Sequence, residues 1–176
     1  MVYEPREDSF LLQRYVKKYA KGKSVLDIGA GSGIQAEAAL KAGASSVMAS
    51  DINPEAMKLL KKKNISAVQS DLFSGIHGKF GLIIFNPPYL PEDEKEPQDS
   101  RASTTGGKRG DEIILKFLRQ APRHLSREGI ILIVVSSLTP KDRIKSLMKH
   151  LKLSYQALEP AALFFETLEV WKINRY

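Results

Sequence analysis

The stretch VLDIGAGSG, residues 25–33, predicts a buried strand that turns sharply into a helix. Its first four residues supply the apolar strand, and an alanine-rich helix is expected from Ile34 to Lys41. Glycine allows a backbone to turn without a Cβ in the way, and the free amides at a helix start favour an anionic or polar ligand group. The turn is therefore a candidate ligand site.

The spacing of the glycines in this turn bears on which ligand it binds. A dinucleotide fingerprint has the pattern G-x-G-x-x-G, whereas Gly29, Gly31 and Gly33 give G-x-G-x-G. The spacing therefore disfavours NAD. Alternatively, the glycine turn has a purely structural role, in which it packs the helix on the strand and binds no ligand.

Strands and helices alternate along the rest of the chain. Further strands are expected at 45–52, 66–71, 81–85 and 129–137, and further helices at 7–21, 53–64, 111–125 and 141–151. Continuous apolar strands that alternate with helices predict a mostly parallel sheet covered on both faces. The tail, 153–173, offers two strand-like segments without a helix between them and should add an antiparallel hairpin. We expect an α/β, Rossmann-like sheet of seven strands.

Composition limits the class of protein. A chain of 176 residues with 43% hydrophobic and 27% charged residues fits one globular domain spanning 1–176. No apolar run approaches the ~20 residues that span a bilayer, and the acidic start resembles no export signal, so a cytoplasmic protein is expected. Without cysteine and with three separated histidines, no metal site is expected. The net charge of +7 leaves nucleic acid open as a partner.

Acidic residues follow three successive strands. Asp27, Asp51 and Asp71 come at or after the strand ends, and parallel sheets bind ligands outside their carboxyl edge. Asp51 is placed to accept hydrogen bonds from ribose hydroxyls. Three carboxylates at one edge suit a positively charged nucleoside better than a diphosphate. That description fits S-adenosylmethionine.

The fourth strand runs directly into Asn86-Pro87-Pro88-Tyr89. A planar amide nitrogen is a poor nucleophile because its lone pair is delocalised, so it must be positioned with care. The Asn86 side-chain carbonyl and the Pro87 backbone carbonyl can accept both N–H bonds of an NH2 group and stabilise charge that develops on the nitrogen. The prolines stiffen the turn, and Tyr89 would stack on a flat substrate. We therefore expect Asn86, Pro87 and Tyr89 to be catalytic.

Together these segments resemble the class I S-adenosylmethionine-dependent methyltransferases. The segments YEPREDSFLL, LDIGAGSG, ASDINPEA, SDLF, NPPYLP and TTGGKRGDE are similar to those of the HemK-like release-factor glutamine methyltransferases, in the short archaeal and eukaryotic form. The resemblance implies N5-methylation of a glutamine in a release factor, with S-adenosylmethionine as cofactor. Implied cofactor-binding residues are Ser9, Asp27, Gly29, Gly31, Asp51, Ile52, Asp71, Leu72 and Asn86.

The resemblance also implies a cover and a partner. Residues 1–22, with Tyr3, Pro5, Glu7, Asp8 and Ser9, would fold over the cofactor. Short-form relatives work with a small zinc-binding activator protein, and the expected edge strand, Ser66 to Ser70, offers free backbone for it.

Alternative functions stay open. The same acceptors suit the exocyclic amine of a nucleobase, although the chain leaves no room for a target-recognition domain. A lysine of a protein is a second alternative, but no base that would deprotonate it is evident. A non-catalytic scaffold is disfavoured because both the N-P-P-Y motif and Asp51 are present.

Overall fold

The computed structural model of the chain describes residues 2–89 and 105–176. Five helices and eight strands lie within these ranges. The helices are α1 (Glu7–Tyr19), α2 (Ile34–Lys41), α3 (Pro54–Lys62), α4 (Glu112–His124) and α5 (Asp142–His150). The strands are β1 (Ser24–Ile28), β2 (Ser46–Asp51), β3 (Ala67–Gln69), β4 (Phe80–Phe85), β5 (Leu125–Ser136), β6 (Leu153–Ala157), β7 (Ala161–Ala162) and β8 (Thr167–Arg175). The acidic and glycine-rich stretch 91–110 predicts a loop, and most of it lies outside the described residues.

The strands form one sheet in the order β3-β2-β1-β4-β5-β8-β6, and β7 pairs with β8. β1 to β5 are parallel, and β8 runs antiparallel between β5 and β6. The predicted α/β fold and its antiparallel tail are confirmed. The seven predicted strands form the main path of the sheet, and sequence analysis missed β7, which has only two residues.

The helices cover both faces of the sheet because neighbouring strand residues point to opposite sides. On one face, Leu26 and Ile28 pack with α4 and α5 around Phe117. On the other, Val25 packs with α1 and α2 around Leu12. The layers therefore leave the carboxyl ends of the parallel strands, where the predicted site residues lie, as an open edge.

Two local features set the bounds of the elements. Asn53 caps α3 because its side chain accepts a hydrogen bond from the Glu55 amide at 2.9 Å, and Pro54 occupies the first helical position. β5 begins at Leu125, four residues before the predicted start at Gly129, and its pairing with β4 is irregular between Phe80 and Leu82. β4 and β5 then run in regular parallel register to Phe85, directly before the N-P-P-Y motif.

Candidate active site

A cavity of about 450 Å3 lies at the carboxyl edge of the parallel strands. Residues 2–9 form one wall, and the ends of β1, β2 and β4 form the floor. Its volume falls within the range that holds small-molecule ligands. Every site residue predicted from the sequence lines this cavity: Ser9, Asp27, Gly29, Gly31, Asp51, Ile52, Asp71, Leu72, Asn86, Pro87 and Tyr89. Their individual roles stay predictions.

Asp27 lies in β1 with only 1% of its surface exposed. Its Oδ2 accepts a hydrogen bond from the Ala36 amide at 3.1 Å, which ties the strand to the first turn of α2. Burial, and then the nearby charge of Asp51, raise the pKa of Asp27 to about 8. A cationic ligand group would favour the charged form of this carboxyl.

Asp51 is fixed by two backbone amides. Its Oδ2 accepts from the Gly31 amide and its Oδ1 from the Asn53 amide, both at 2.8 Å. Each carboxylate oxygen has a further lone pair that can accept from a ligand hydroxyl. The glycine turn and the second strand end are thus held together at the cavity.

The three glycines of the turn serve different needs. Gly29, Gly31 and Gly33 have φ values of +64°, +51° and +82°, which disfavour any residue with a Cβ. A Cβ at Gly33 would also lie 2.9 Å from the Leu60 side chain. Only Gly29 and Gly31 line the cavity, so the third glycine serves helix packing.

The third strand end differs from the other two. Asp71 follows β3 by two residues, and its Oδ2 accepts from the Lys116 ammonium at 2.6 Å. Leu72 has a left-handed φ of +50° within a tight turn. Ser70 holds that turn by donating to the Leu72 carbonyl and accepting from the Gly75 amide. Asp71 therefore lines the cavity while it is paired with a basic residue of α4.

Asn86 meets the amino-terminal segment at the centre of the site. Its Nδ2 donates to Asp8 Oδ2 at 2.9 Å, while Tyr3 and the Ser9 amide also donate to the Asp8 carboxylate. Because a carboxylate only accepts, this bond fixes which way the Asn86 amide faces. The Asn86 Oδ1 is buried and has no hydrogen-bond partner among residues 2–89 and 105–176. The site thus contains an oriented and unsatisfied acceptor.

The rest of the N-P-P-Y turn is also held in place. The Tyr89 carbonyl accepts a hydrogen bond from Thr139 Oγ1 at 3.1 Å, and the Tyr89 side chain packs against the core beneath α1. Burial, followed by the charges of Asp8 and Glu166, raises the pKa of Tyr89, so its hydroxyl stays protonated at neutral pH. Tyr89 can therefore donate a hydrogen bond or offer its ring face to a ligand.

The charge of the cavity is opposite to that of the chain as a whole. Within the described residues, Arg6 is the only basic residue of the lining. The acidic lining residues are Glu7, Asp8, Asp27, Asp51, Asp71 and Glu166. Such a lining repels a pyrophosphate and attracts a cation.

Sequence analysis missed several residues of the site. Gln35 in α2 donates from Nε2 to the Ser9 carbonyl at 2.8 Å, and its buried Oε1 has no partner among the described residues. Glu166 comes from the β7–β8 turn, which no motif marks, and it accepts a hydrogen bond from Ser136. The link from Asp8 to Asn86 spans 78 positions, so no local pattern could have revealed it.

The described ranges contain neither a membrane-spanning helix nor a metal-binding cluster. None of the helices found there is long and apolar enough to cross a membrane. No group of three or more acidic, histidine or cysteine residues in those ranges is arranged to hold a metal ion.

Comparison with known proteins gives consistent matches. The model of the methyltransferase small domain family matches residues 7–161. A Methanocaldococcus jannaschii protein, provisionally named a protein N5-glutamine methyltransferase, is 40% identical over 98% of this chain and 92% of its own length. Human Methyltransferase HEMK2 is 30% identical over 99% of this chain and 90% of its own length.

A solved structure shares the fold. It is that of the E. cuniculi Mtq2–Trm112 complex, described as responsible for methylation of the eRF1 translation termination factor. The matched chain superposes with a TM-score of 0.79 at 23% identity, covering 99% of both chains.

Proposed function

The chain belongs to the methyltransferase small domain family, and we propose that it methylates the side-chain amide nitrogen of a glutamine in a peptide chain release factor. The expected family and enzyme class are confirmed. The name of the archaeal relative supports a glutamine amide of a protein as the acceptor, and the description of the complex that methylates eRF1 supports a translation termination factor as that protein.

The cofactor is S-adenosylmethionine, which when bound supplies a methyl group on a positively charged sulfonium. The residues of the cavity fit this molecule. Asp27 and Gln35 offer buried acceptors toward a cationic methionine part, and Asp51 offers a fixed carboxylate toward a ribose. The acidic lining and the volume of about 450 Å3 accord with a ligand that joins an uncharged adenosine moiety to a positively charged group.

The observation that carries the proposal is the unsatisfied Oδ1 of Asn86. A buried acceptor without a partner costs about 1–3 kcal/mol, and a substrate N–H would remove that cost. With the Pro87 carbonyl accepting the second N–H, the amide group would be held with its nitrogen lone pair free to attack a methyl group. The new N–C bond would replace the S–C bond of the cofactor, and the nitrogen would then lose one proton to solvent. Asn86 then stabilises positive charge as it develops on that nitrogen.

The Asp8 carboxylate supports Asn86 in this role. It holds the Nδ2 end of the side chain, so Oδ1 cannot rotate away from the substrate. A negative charge next to Nδ2 also polarises the amide and makes Oδ1 a stronger acceptor. Asp8 is therefore a positioning residue for Asn86.

The acidic rim bears on the alternative substrates. Glu7 and Glu166 lie beside the same cavity as Asn86, where the phosphates of a nucleic acid would meet like charge. A neutral amide suffers no such repulsion. The geometry therefore favours a protein amide over a nucleobase.

A small zinc-binding activator is proposed as a partner. The related complex contains a second protein, Trm112. Within residues 2–89 and 105–176, β3 is the edge strand of the sheet and pairs on one side only, with β2. Its outer backbone is therefore available for strand addition. A release factor acts with ribosomes, so we place the reaction in the cytoplasm.

The proposal is tested by offering possible acceptors side by side. The purified chain, with and without the activator, receives tritiated S-adenosylmethionine together with a class I release factor, a basic histone-like protein, DNA or rRNA. We expect label only on the release factor, and mass spectrometry should place it on one glutamine.

A release factor whose target glutamine is replaced by alanine serves as the matched control and should stay unlabelled. Label on the DNA, the rRNA or a lysine of the histone-like protein, with the release factor blank, would overturn the proposed substrate.

A further inference from the structure

Two adjacent phenylalanines stand in solvent at the tip of a tight hairpin. Phe164 and Phe165 are 96% and 87% exposed and contact each other edge to face. They lie at the centre of the four-residue turn between β7 and β8, residues 163–166, which is closed by a hydrogen bond of 2.7 Å from the Leu163 amide to the Glu166 carbonyl. Two adjacent large apolar side chains are rarely left so exposed. The local sequence therefore contradicts what folding alone would favour.

The base of this hairpin is firmly anchored. Leu163 packs against the core beneath α1, and Glu166 accepts a hydrogen bond from Ser136 at the end of β5. Thr167 exchanges two hydrogen bonds with Ser137, at 2.8 and 2.9 Å. The two rings thus project from a fixed backbone. Binding of a partner to them would therefore cost little conformational entropy of the hairpin.

The hairpin borders the proposed active site. Leu163 and Glu166, which flank the two rings, line the cavity that contains Asn86. Glu166 is also near enough to Tyr89 to raise its pKa. An amide carried by a protein enters the cavity as a side chain, so the backbone that bears it must cross the rim. The phenylalanine pair lies at that rim.

We propose that Phe164 and Phe165 form the docking surface for the segment of the protein substrate that flanks the methylated amide. This inference rests on the proposed function, because only a polymeric acceptor extends beyond the cavity. The occupant is a peptide segment with an apolar side chain within a few residues of the target, since two aromatic rings gain most from burial against apolar surface. Exposed aromatic pairs of this kind are typical anchors of protein interfaces.

The test replaces both rings and follows the protein substrate. In Phe164→Ser/Phe165→Ser we expect the KM for the release factor to rise about 10-fold or more, in the range that loss of an aromatic anchor produces. The Kd for S-adenosylmethionine should stay within about twofold, because neither ring lines the cavity. Tyr176→Ser is the matched control, since Tyr176 is 84% exposed and lies at the opposite end of β8; it should leave both constants unchanged.

Several outcomes would overturn the inference. An unchanged KM in the double variant, or an equal rise in Tyr176→Ser, removes the docking role while the methyl transfer itself stands. Loss of activator binding would assign the rings to that partner instead. A change from dimer to monomer in sedimentation would assign them to a second copy of the chain. A wild-type chain that labels only nucleic acid would overturn the proposed function first, and this inference with it.

Discussion

The side chain of Asn86 donates a hydrogen bond of 2.9 Å to the carboxylate of Asp8, which is only 5% exposed. Asn86 directly follows β4, and Asp8 lies in the first turn of α1. The bond therefore joins the amino-terminal segment to the proposed reacting centre. Asp8 has no other asparagine partner, and Asn86 has no other carboxylate partner, among the described residues. Asp8 should therefore act on catalysis through Asn86.

A double-mutant cycle measures this coupling. Asp8→Asn keeps the shape of the side chain and removes its charge, so kcat at saturating cofactor should fall about 10-fold, the scale of a hydrogen bond to a charged group. In an Asn86→Ala background the same change should have almost no further effect. Initial rates for the four proteins give the coupling directly.

Glu7→Gln is the matched control for that cycle. It removes one negative charge from the same helical turn, yet Glu7 is exposed, and the hydrogen bonds of the Asn86 side chain within the described ranges go to Asp8 and Ser9. Its kcat should stay within about twofold. If Asp8→Asn lowers the rate equally in both backgrounds, Asp8 acts independently of Asn86.

Changes at position 86 itself should show an unusual order. Asn86→Ala should lower kcat about 100-fold or more with the cofactor Kd almost unchanged, because an interaction of the transition state is lost. Asn86→Asp should be no better, since it sets a second carboxylate against Asp8, and like charges at this distance repel strongly.

A double variant that exchanges the carboxylate of Asp8 and the amide of Asn86 separates the effect of charge from that of side-chain shape. Asp8→Asn/Asn86→Asp restores one carboxylate and one amide in contact, so it should recover about 10-fold in kcat over Asn86→Asp alone. The measurement is single-turnover methyl transfer. Higher activity in Asn86→Asp than in Asn86→Ala would show that the two carboxylates do not meet as the structure indicates.

Binding of the cofactor should depend on Asp51. Asp51→Ala removes the carboxylate that faces the cavity and should weaken S-adenosylmethionine binding by about 1–3 kcal/mol. It also frees the amides of Gly31 and Asn53, so some thermal stability should be lost as well. Calorimetry and thermal unfolding separate the two effects.

Glu55→Ala provides the comparison for Asp51. Glu55 is an exposed acid at the start of α3 and does not line the cavity. It should leave the cofactor affinity unchanged. Stabilisation of the wild-type chain by NADH and not by S-adenosylmethionine would contradict the cofactor assignment.

The fold and the eleven lining residues named above could be predicted from the sequence because they follow from local patterns. A strand of apolar residues that ends in Asp27, Asp51 or Asn86 delivers that side chain to the carboxyl edge whatever surrounds it. The partners of these side chains could not be predicted in the same way. Lys116 reaches Asp71 from a helix 45 positions away, and only the packing of α4 on the sheet determines that contact.

The exposure of the hairpin tip between β7 and β8 could not be predicted from the sequence either. The tail was expected to form strands because its apolar and β-branched residues favour them. Its alternation does not reveal that Phe164 and Phe165 stay in solvent, since apolar residues in a strand-like segment are ordinarily assigned to the core. Their exposure follows from the short pairing of β7 with β8, which ends just before them.

The buried carboxyl of Asp27 should make stability depend on pH. Its pKa in the folded chain is about 8, against an ordinary value of 3.8. Between these values the folded state retains a proton that the unfolded state has released, so the free energy of unfolding should fall as the pH rises from about 4 to about 8. Over the same pH range, the free energy of unfolding of the wild type should therefore fall relative to that of Asp27→Asn. Urea unfolding of both proteins at pH 5, 6.5 and 8 measures it.

Asp71→Asn is the control for this pH dependence. Its carboxyl is about half exposed and paired with Lys116, and the variant keeps Asp27, so the difference in the free energy of unfolding between wild type and Asp71→Asn should show no comparable change between pH 5 and 8. Saturating S-adenosylmethionine should flatten the wild-type slope, because a cation beside Asp27 favours the charged carboxylate in the folded chain and thereby lowers its pKa. A difference between wild type and Asp27→Asn that stays level between pH 5 and 8 would show that Asp27 is ionised in the free protein, with burial outweighed by its hydrogen bond from Ala36.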